Sequence, residues 1–142
     1  MAHVELSLTE PLAASRGELE RWAVAVGSAQ DPCLLLDGDG AVVAASEPCL
    51  ALFGSSGMQV VGRRLVDVVR LLDFTAASGE LTEWELDKIP PLLALSSGGL
   101  ARGLLRVPTR DGATWTIDVI AAPLRDGDAV VASLSFLSVV SH

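Results

Sequence analysis

Apolar and polar positions follow two rhythms along this chain. Residues 4–8 (VELSL) alternate with a period of two, a short strand signal that Thr9-Glu10-Pro11 breaks. From Ser15 the period becomes helical: Leu19, Trp22, Ala23 and Val26 recur at i, i+3, i+4 and i+7, and Ser15 with Glu18 has the spacing of a capping box. Ser28 to Pro32 ends that helix. Two apolar runs follow, 33–36 and 41–45, joined by Asp37-Gly38-Asp39-Gly40, which predicts a hairpin. Ser46-Glu47-Pro48 starts a short helix with Leu50 and Phe53 turned inward, and Gly54 ends it.

The spacing of Leu65, Val68, Val69 and Leu72 predicts an amphipathic helix opened by Gly62, with Arg63, Arg64, Asp67, Arg70 and Asp73 on its polar side. Residues 75–81 read as a linker. Thr82 and Glu85 repeat the capping-box pattern ahead of Trp84, Leu86 and Ile89, and Pro90-Pro91 interrupts that helix. Leu92, Leu93 and Leu95 stay apolar until Ser96-Ser97-Gly98-Gly99. The remainder predicts three strands, 100–107, 114–124 and 129–140, separated by Asp111-Gly112 and by Arg125-Asp126-Gly127-Asp128. In the second, Trp115, Ile117, Val119 and Ala121 share a face; in the third, Val130, Ala132, Leu134 and Phe136 do, with Ser133 and Ser135 opposite. The order implies an α+β fold: an antiparallel sheet with short helices gathered on one face.

A chain of 142 residues, half of them hydrophobic, fits one domain with a real core. The formal net charge of −8 argues against nucleic acid or anionic lipid as main partner, since both need clustered cations, and Arg63-Arg64 is the one local pair. No apolar run reaches membrane-spanning length, and the first residues lack the basic and apolar regions of a signal peptide, so a cytoplasmic location and no membrane partner are expected. Cys33 and Cys49 sit in apolar settings and read as buried free thiols.

Candidate chemistry is sparse. There is no Tyr, the two histidines are His3 and His142, and Lys88 is the single lysine. The usual general base and zinc ligand are therefore missing from the interior of the sequence. Gly54-Ser55-Ser56-Gly57 has the wrong spacing for a nucleophile elbow, and neither a P-loop nor a dinucleotide glycine motif occurs. Asp37 and Asp39 match the first two ligand positions of a calcium loop, but the third falls on Ala41. A strand rather than a helix follows the glycines, which removes a phosphate cradle. Asp37, Asp39, Asp111, Asp126 and Asp128 thus read as turn residues, with no catalytic or metal-binding set; a small α+β enzyme is the remote alternative.

With these elements in place, the chain resembles the PAS domain family. The resemblance rests on CLLLDGDGAVVAASEPCLALFG, then VVGRRLVDVV, then GLLRVPTRDGATWTIDVIAAPLRDGDAVVASLSFLSVV, and covers nearly everything from Pro32 to Val140. It implies a five-stranded antiparallel sheet over 32–142, a flanking amphipathic helix over 16–31 and an N-terminal extension over 1–15. It departs from the family at Ser46-Glu47-Pro48, where the family often has Asn, and at Pro90-Pro91, which splits a helix that is usually longer.

The resemblance further implies a sensory or interaction module of a bacterial signalling protein, working on an output domain or partner protein. It implies no cofactor here: Cys49 lies in EPCLALFG rather than in the Asn-Cys-Arg-Phe setting of flavin-adduct sensors, and residues 75–99 hold no His for haem. The basic, His-lined pocket and flanking spans of extracytoplasmic carboxylate sensors are likewise missing. A candidate pocket for a small apolar ligand comprises Leu35, Val43, Leu50, Phe53, Leu65, Val69, Leu72, Leu92, Trp115, Ile117, Leu134 and Phe136; the same residues equally suit a filled core. Leu19, Trp22, Ala23 and Val26 are the candidate homodimer interface, unless they cover the chain's own sheet. Val4, Leu6 and Leu8 could add a strand across such an interface.

Overall fold

The computed structural model describes residues 12–13, 15–55, 59–109 and 111–141. The strand expected at 4–8 lies outside them. After a two-residue strand β1 (Leu12–Ala13), the chain forms helix α1 (Arg16–Gly27) and the hairpin β2 (Cys33–Asp37) and β3 (Val42–Ala45). Four short helices follow: α2 (Glu47–Leu52), α3 (Leu65–Val68), α4 (Glu83–Leu86) and α5 (Pro90–Ser97). The meander β4 (Ala101–Pro108), β5 (Thr114–Asp126) and β6 (Ala129–Ser141) completes the chain.

The sheet order is β3-β2-β6-β5-β4, antiparallel throughout. The last strand therefore inserts beside the first hairpin, pairing Cys33 with Phe136 and Leu35 with Leu134. β1 joins β5 in parallel at Leu124 and Arg125, past the point where the β4 pairing ends at Ala101–Ala121. Both sheet faces are covered. α5 lies on β4, β5 and β6, while α1 packs against β2 and β3. The two coverings bury separate clusters, one centred on Leu34, Leu36, Ile117 and Val119, the other on Cys33, Leu35, Leu124 and Leu134.

Caps form where serine and threonine stand. Ser15 accepts the Glu18 N–H, Ser46 that of Cys49, and Thr82 with Glu85 forms a complete capping box. Pro90 and Pro91 occupy the first turn of α5, where a missing N–H leaves no gap in the ladder, so they start a helix as well as dividing it from α4.

One element differs from its sequence pattern. The helix expected through Leu72 stops at Val68: Val69 is extended (φ −121°, ψ 139°), and the Leu72 N–H bonds to the Arg106 carbonyl of β4 at 2.8 Å. Val66, Val68 and Val69 are β-branched and weak helix formers, and pairing with the sheet edge outweighs their helical spacing.

Candidate functional site: the two faces of the sheet

The helix-covered face is filled by aliphatic side chains. Leu34 and Leu36 from β2, Val42 from β3, Leu105 and Val107 from β4, and Ile117 and Val119 from β5 meet Cys49, Leu65, Val69 and Ile89 from the helical segment. Leu50, Phe53, Leu92 and Trp115 close over this cluster as half-buried residues. Under α5 the packing changes to small residues: Ala94 sits on Ala101 and Ala121, all buried. Gly103 continues the seat, because a Cβ there would stand 3.3 Å from Pro90 Cγ.

Polar side chains fasten the helices to this face. The Ser46 hydroxyl is fully buried; it accepts the N–H groups of Cys33 (3.0 Å) and Cys49 (3.3 Å) and donates to the Asp31 carbonyl (2.8 Å). One oxygen thus joins the start of β2 to the first turn of α2. Ser133 donates to the Pro91 carbonyl at 2.8 Å, holding the first turn of α5 on β6. At the other end of α5, Arg125 donates to the Gly98 carbonyl (2.7 Å) and to the Asp128 carbonyl (3.0 Å). Gly98 closes α5 in the left-handed region (φ +69°), and a Cβ there would run into the Arg125 guanidinium. Ser135, also fully buried, points its hydroxyl into the same face without a hydrogen-bond partner among the described residues.

These serines are where the sequence pattern misleads. Ser133 and Ser135 alternate with the apolar residues of β6 as expected, yet both are buried on the helix-covered face, because Ala132, Leu134 and Phe136 take the opposite face. A small side chain in a strand signals a close-packed helix as readily as solvent, and the Ala94, Ala101, Ala121 set nearby was the available hint.

The structure divides the candidate pocket residues. Leu50, Phe53, Leu65, Val69, Leu92, Trp115 and Ile117 meet on the helix-covered face. Leu72 is buried beside β4. Leu35, Val43 and Leu134 belong instead to the cluster beneath α1, and Phe136 is 40% exposed on that same side. The expected set therefore does not enclose one volume: residues one apart in a strand face opposite ways, and here both directions are inward.

The candidate dimer residues are similarly placed. Val26 is buried and Leu19, Trp22 and Ala23 are half-buried, all packed on the chain's own Cys33, Leu35, Ala44 and Leu134. They cover their own sheet. Beyond α1 the outer face is open: Phe136 is exposed beside its strand partner Ile120, Val140 is exposed farther along β6, and Val24 stands 72% exposed on α1.

Electrostatics are local. Burial pushes the Cys49 thiol up to about 12, with proximity to Cys33 adding to it, so it is neutral and a poor nucleophile. Burial also raises Cys33, against the opposing effect of its hydrogen bond with Ser46. Asp118 is lowered, chiefly by the hydrogen bonds of Arg102 at 2.7 and 3.2 Å. Asp37 accepts the N–H groups of Asp39 (2.9 Å) and Ala41 (3.0 Å), the turn geometry expected of it.

A five-stranded antiparallel sheet with this strand order and short helices on one face also occurs in solved structures. The chain is similar to the PAS domain of an HTR-like protein from Haloarcula marismortui: 17% identity, 87% of this chain and 93% of that one covered, TM-score 0.54. It is similar to the LOV domain of the blue-light photoreceptor Aureochrome1, at 27% identity over 83% and 88% of the two chains with a TM-score of 0.58. The chain has the PAS domain fold. The Rhodobacter sphaeroides LOV protein matches this PAS fold with a TM-score of 0.64, at 17% identity over 89% of this chain and 69% of that one. No family model matches the chain, and no curated protein matches it in sequence. The PAS likeness thus lies in three dimensions. It rests on strand order and helix placement.

Proposed function

We propose that this PAS-fold chain is a sensory or interaction module of a bacterial, cytoplasmic signalling protein, that it is not itself an enzyme, and that it works by pairing with a second copy. The observation that carries this reading is the uncovered part of the outer sheet face. α1 protects part of that face, while Phe136 and Ile120 lie side by side on the uncovered part and Val140 is exposed farther along β6. Apolar residues held side by side on a sheet suit a protein partner. The test is the mass of the chain by sedimentation. A dimer is expected for the wild type, and a monomer for the Phe136→Asp, Val140→Asp double variant with unchanged circular dichroism. A monomeric wild type, or a dimer indifferent to the substitutions, rejects the pairing.

A second reading has its own support. The Ser135 hydroxyl, buried on the helix-covered face and without a hydrogen-bond partner among the described residues, offers a hydrogen bond there. A small, largely apolar ligand with one polar group, carried between the sheet and α5, would use it. Native mass spectrometry of protein purified from its own host tests this: an added mass lost in Ser135→Ala supports a ligand, and bare chains in every preparation leave the filled-core interaction module.

A further inference from the structure

β4 is an eight-residue edge strand. β5 pairs along its whole length on one side, from Ala101 to Pro108. On the other side, among the described residues, Leu72 alone bonds to its main chain, at Arg106. That bond shows that the Arg106 backbone turns toward the free edge, and the period of two puts the N–H and C=O groups of Leu104 and Arg102 there as well. Long free edges with apolar residues are unusual, because they template further pairing. Here the edge is flanked by a groove of about 340 Å³. Its helix-side wall carries Trp84 and Phe74, exposed by 71% and 57%. Its other wall carries Leu104, also exposed, between Arg102 and Arg106.

The walls of this groove carry more cations than carboxylates. On a chain of net charge −8, the groove collects Lys88, Arg102 and Arg106 against one wall carboxylate, Glu85. Arg102 is paired with Asp118. Arg106 donates to the carbonyls of Asp73 and Thr75, neutral acceptors that leave its charge in place, though the Asp73 carboxylate is near enough to feel it. Lys88 sits 4.3 Å from the centre of the Trp84 ring, and among the described residues neither it nor Arg106 forms an ion pair. Two copies cannot share this edge well: antiparallel pairing about Leu104 sets Arg102 opposite Arg106 of the other copy, like against like.

We propose that β4 receives an extended acidic segment of a partner protein as an added strand. Its main chain bonds to Arg102 and Leu104. Its side chains alternate, apolar ones against Trp84 and Phe74 and carboxylates toward Arg102 and Arg106. Arg102 stands opposite Ile120, so this surface adjoins the Phe136 surface of the outer face, but the proposal does not depend on pairing between copies.

The probe is a synthetic capped peptide alternating valine and glutamate, with a lysine-for-glutamate peptide as control. Amide exchange and chemical shifts are followed by NMR on the full chain. Addition of the acidic peptide slows exchange at Leu104 and Arg102 by about tenfold or more, as entry into a ladder requires. Binding weakens with added salt. Leu104→Pro removes an edge-facing N–H that no native ladder uses, and Trp84→Ala removes an exposed ring, so both variants keep the fold. Each weakens binding about tenfold, the scale of one lost anchor or hydrogen-bonded pair. The proposal is overturned by equal binding of the lysine peptide, by shifts elsewhere than β4 and α4, by binding unchanged in both variants, or by protection of the Leu104 amide before any peptide is added. A wild-type dimer that Leu104→Pro turns to monomer gives the edge to a second copy and also overturns it.

Discussion

The two faces of this sheet are both apolar, but they are built differently. The helix-covered face is closed by four short helices, none longer than eight residues, each too short to be stable alone. It is held by tight aliphatic packing and by point attachments at Ser46, Ser133 and Arg125. The outer face is partly closed by one twelve-residue helix whose side-chain tie to the sheet among the described residues is one weak bond, from the Cys33 thiol to the Val26 carbonyl at 3.8 Å. The difference teaches that short helices need polar fasteners to keep their place, while a longer amphipathic helix can rely on its apolar stripe. It also leaves one face committed to internal packing and the other with surface to spare.

Four substitutions and one titration test that contrast. The largest effect belongs to Ile117→Ala, at the centre of the helix-covered face, where the side chain is fully buried; unfolding in urea should show a loss of about 2–5 kcal/mol. Ser46→Ala should follow at about 2 kcal/mol, because it leaves two N–H groups without acceptors and removes a cap, although it deletes a single oxygen. A loss under about 0.5 kcal/mol would show that the fasteners matter less than packing. Next comes pH. Burial pushes the Cys49 thiol up to about 12 in the folded chain against 9.0 for an exposed thiol, so its neutral form favours folding below pH 9, and that contribution is lost as pH rises from there toward 12. Stability should fall by about 1.4 kcal/mol per pH unit more in the wild type than in Cys49→Ala across that window. The smallest effects lie outside: Leu104→Ala and Val24→Ala, both exposed, should each change stability by less than about 0.5 kcal/mol.

Much of the fold was legible in the sequence because strands and turns carry local marks. The hairpin at Asp37–Gly40 and the three meander strands stand within two residues of their expected ends, since glycine-aspartate turns separate runs with a clear period. The segment 69–72 was not legible, because its partners, Arg106 and Glu80, are set by the sheet edge and not by neighbours in sequence. The candidate site was half legible for a related reason. Alternation tells which residues share a face, as Trp115, Ile117 and Val119 do, but not which covering lies over that face. With α1 on one side and α5 on the other, Leu35 and Leu134 were as apolar as Leu34 and Ile117, and only the tertiary structure separates them. Trp84 shows the converse: its capping box predicted the helix, while its exposure depends on where that helix docks.

The place of β6 between β2 and β5 has a consequence for how the chain comes into being. β2 is among the first strands to be synthesised, yet one of its two neighbours is the last, with Cys33 facing Phe136. A nascent chain therefore holds the hairpin β2–β3 with an unsatisfied edge until residues 129–141 emerge, and cannot close the sheet strand by strand. Such distant pairing raises contact order and slows folding relative to a helical domain of the same length. A chain stopped short of β6 would leave Leu34, Leu35 and Leu36 at an open edge, the kind of surface that chaperones bind and that aggregates recruit.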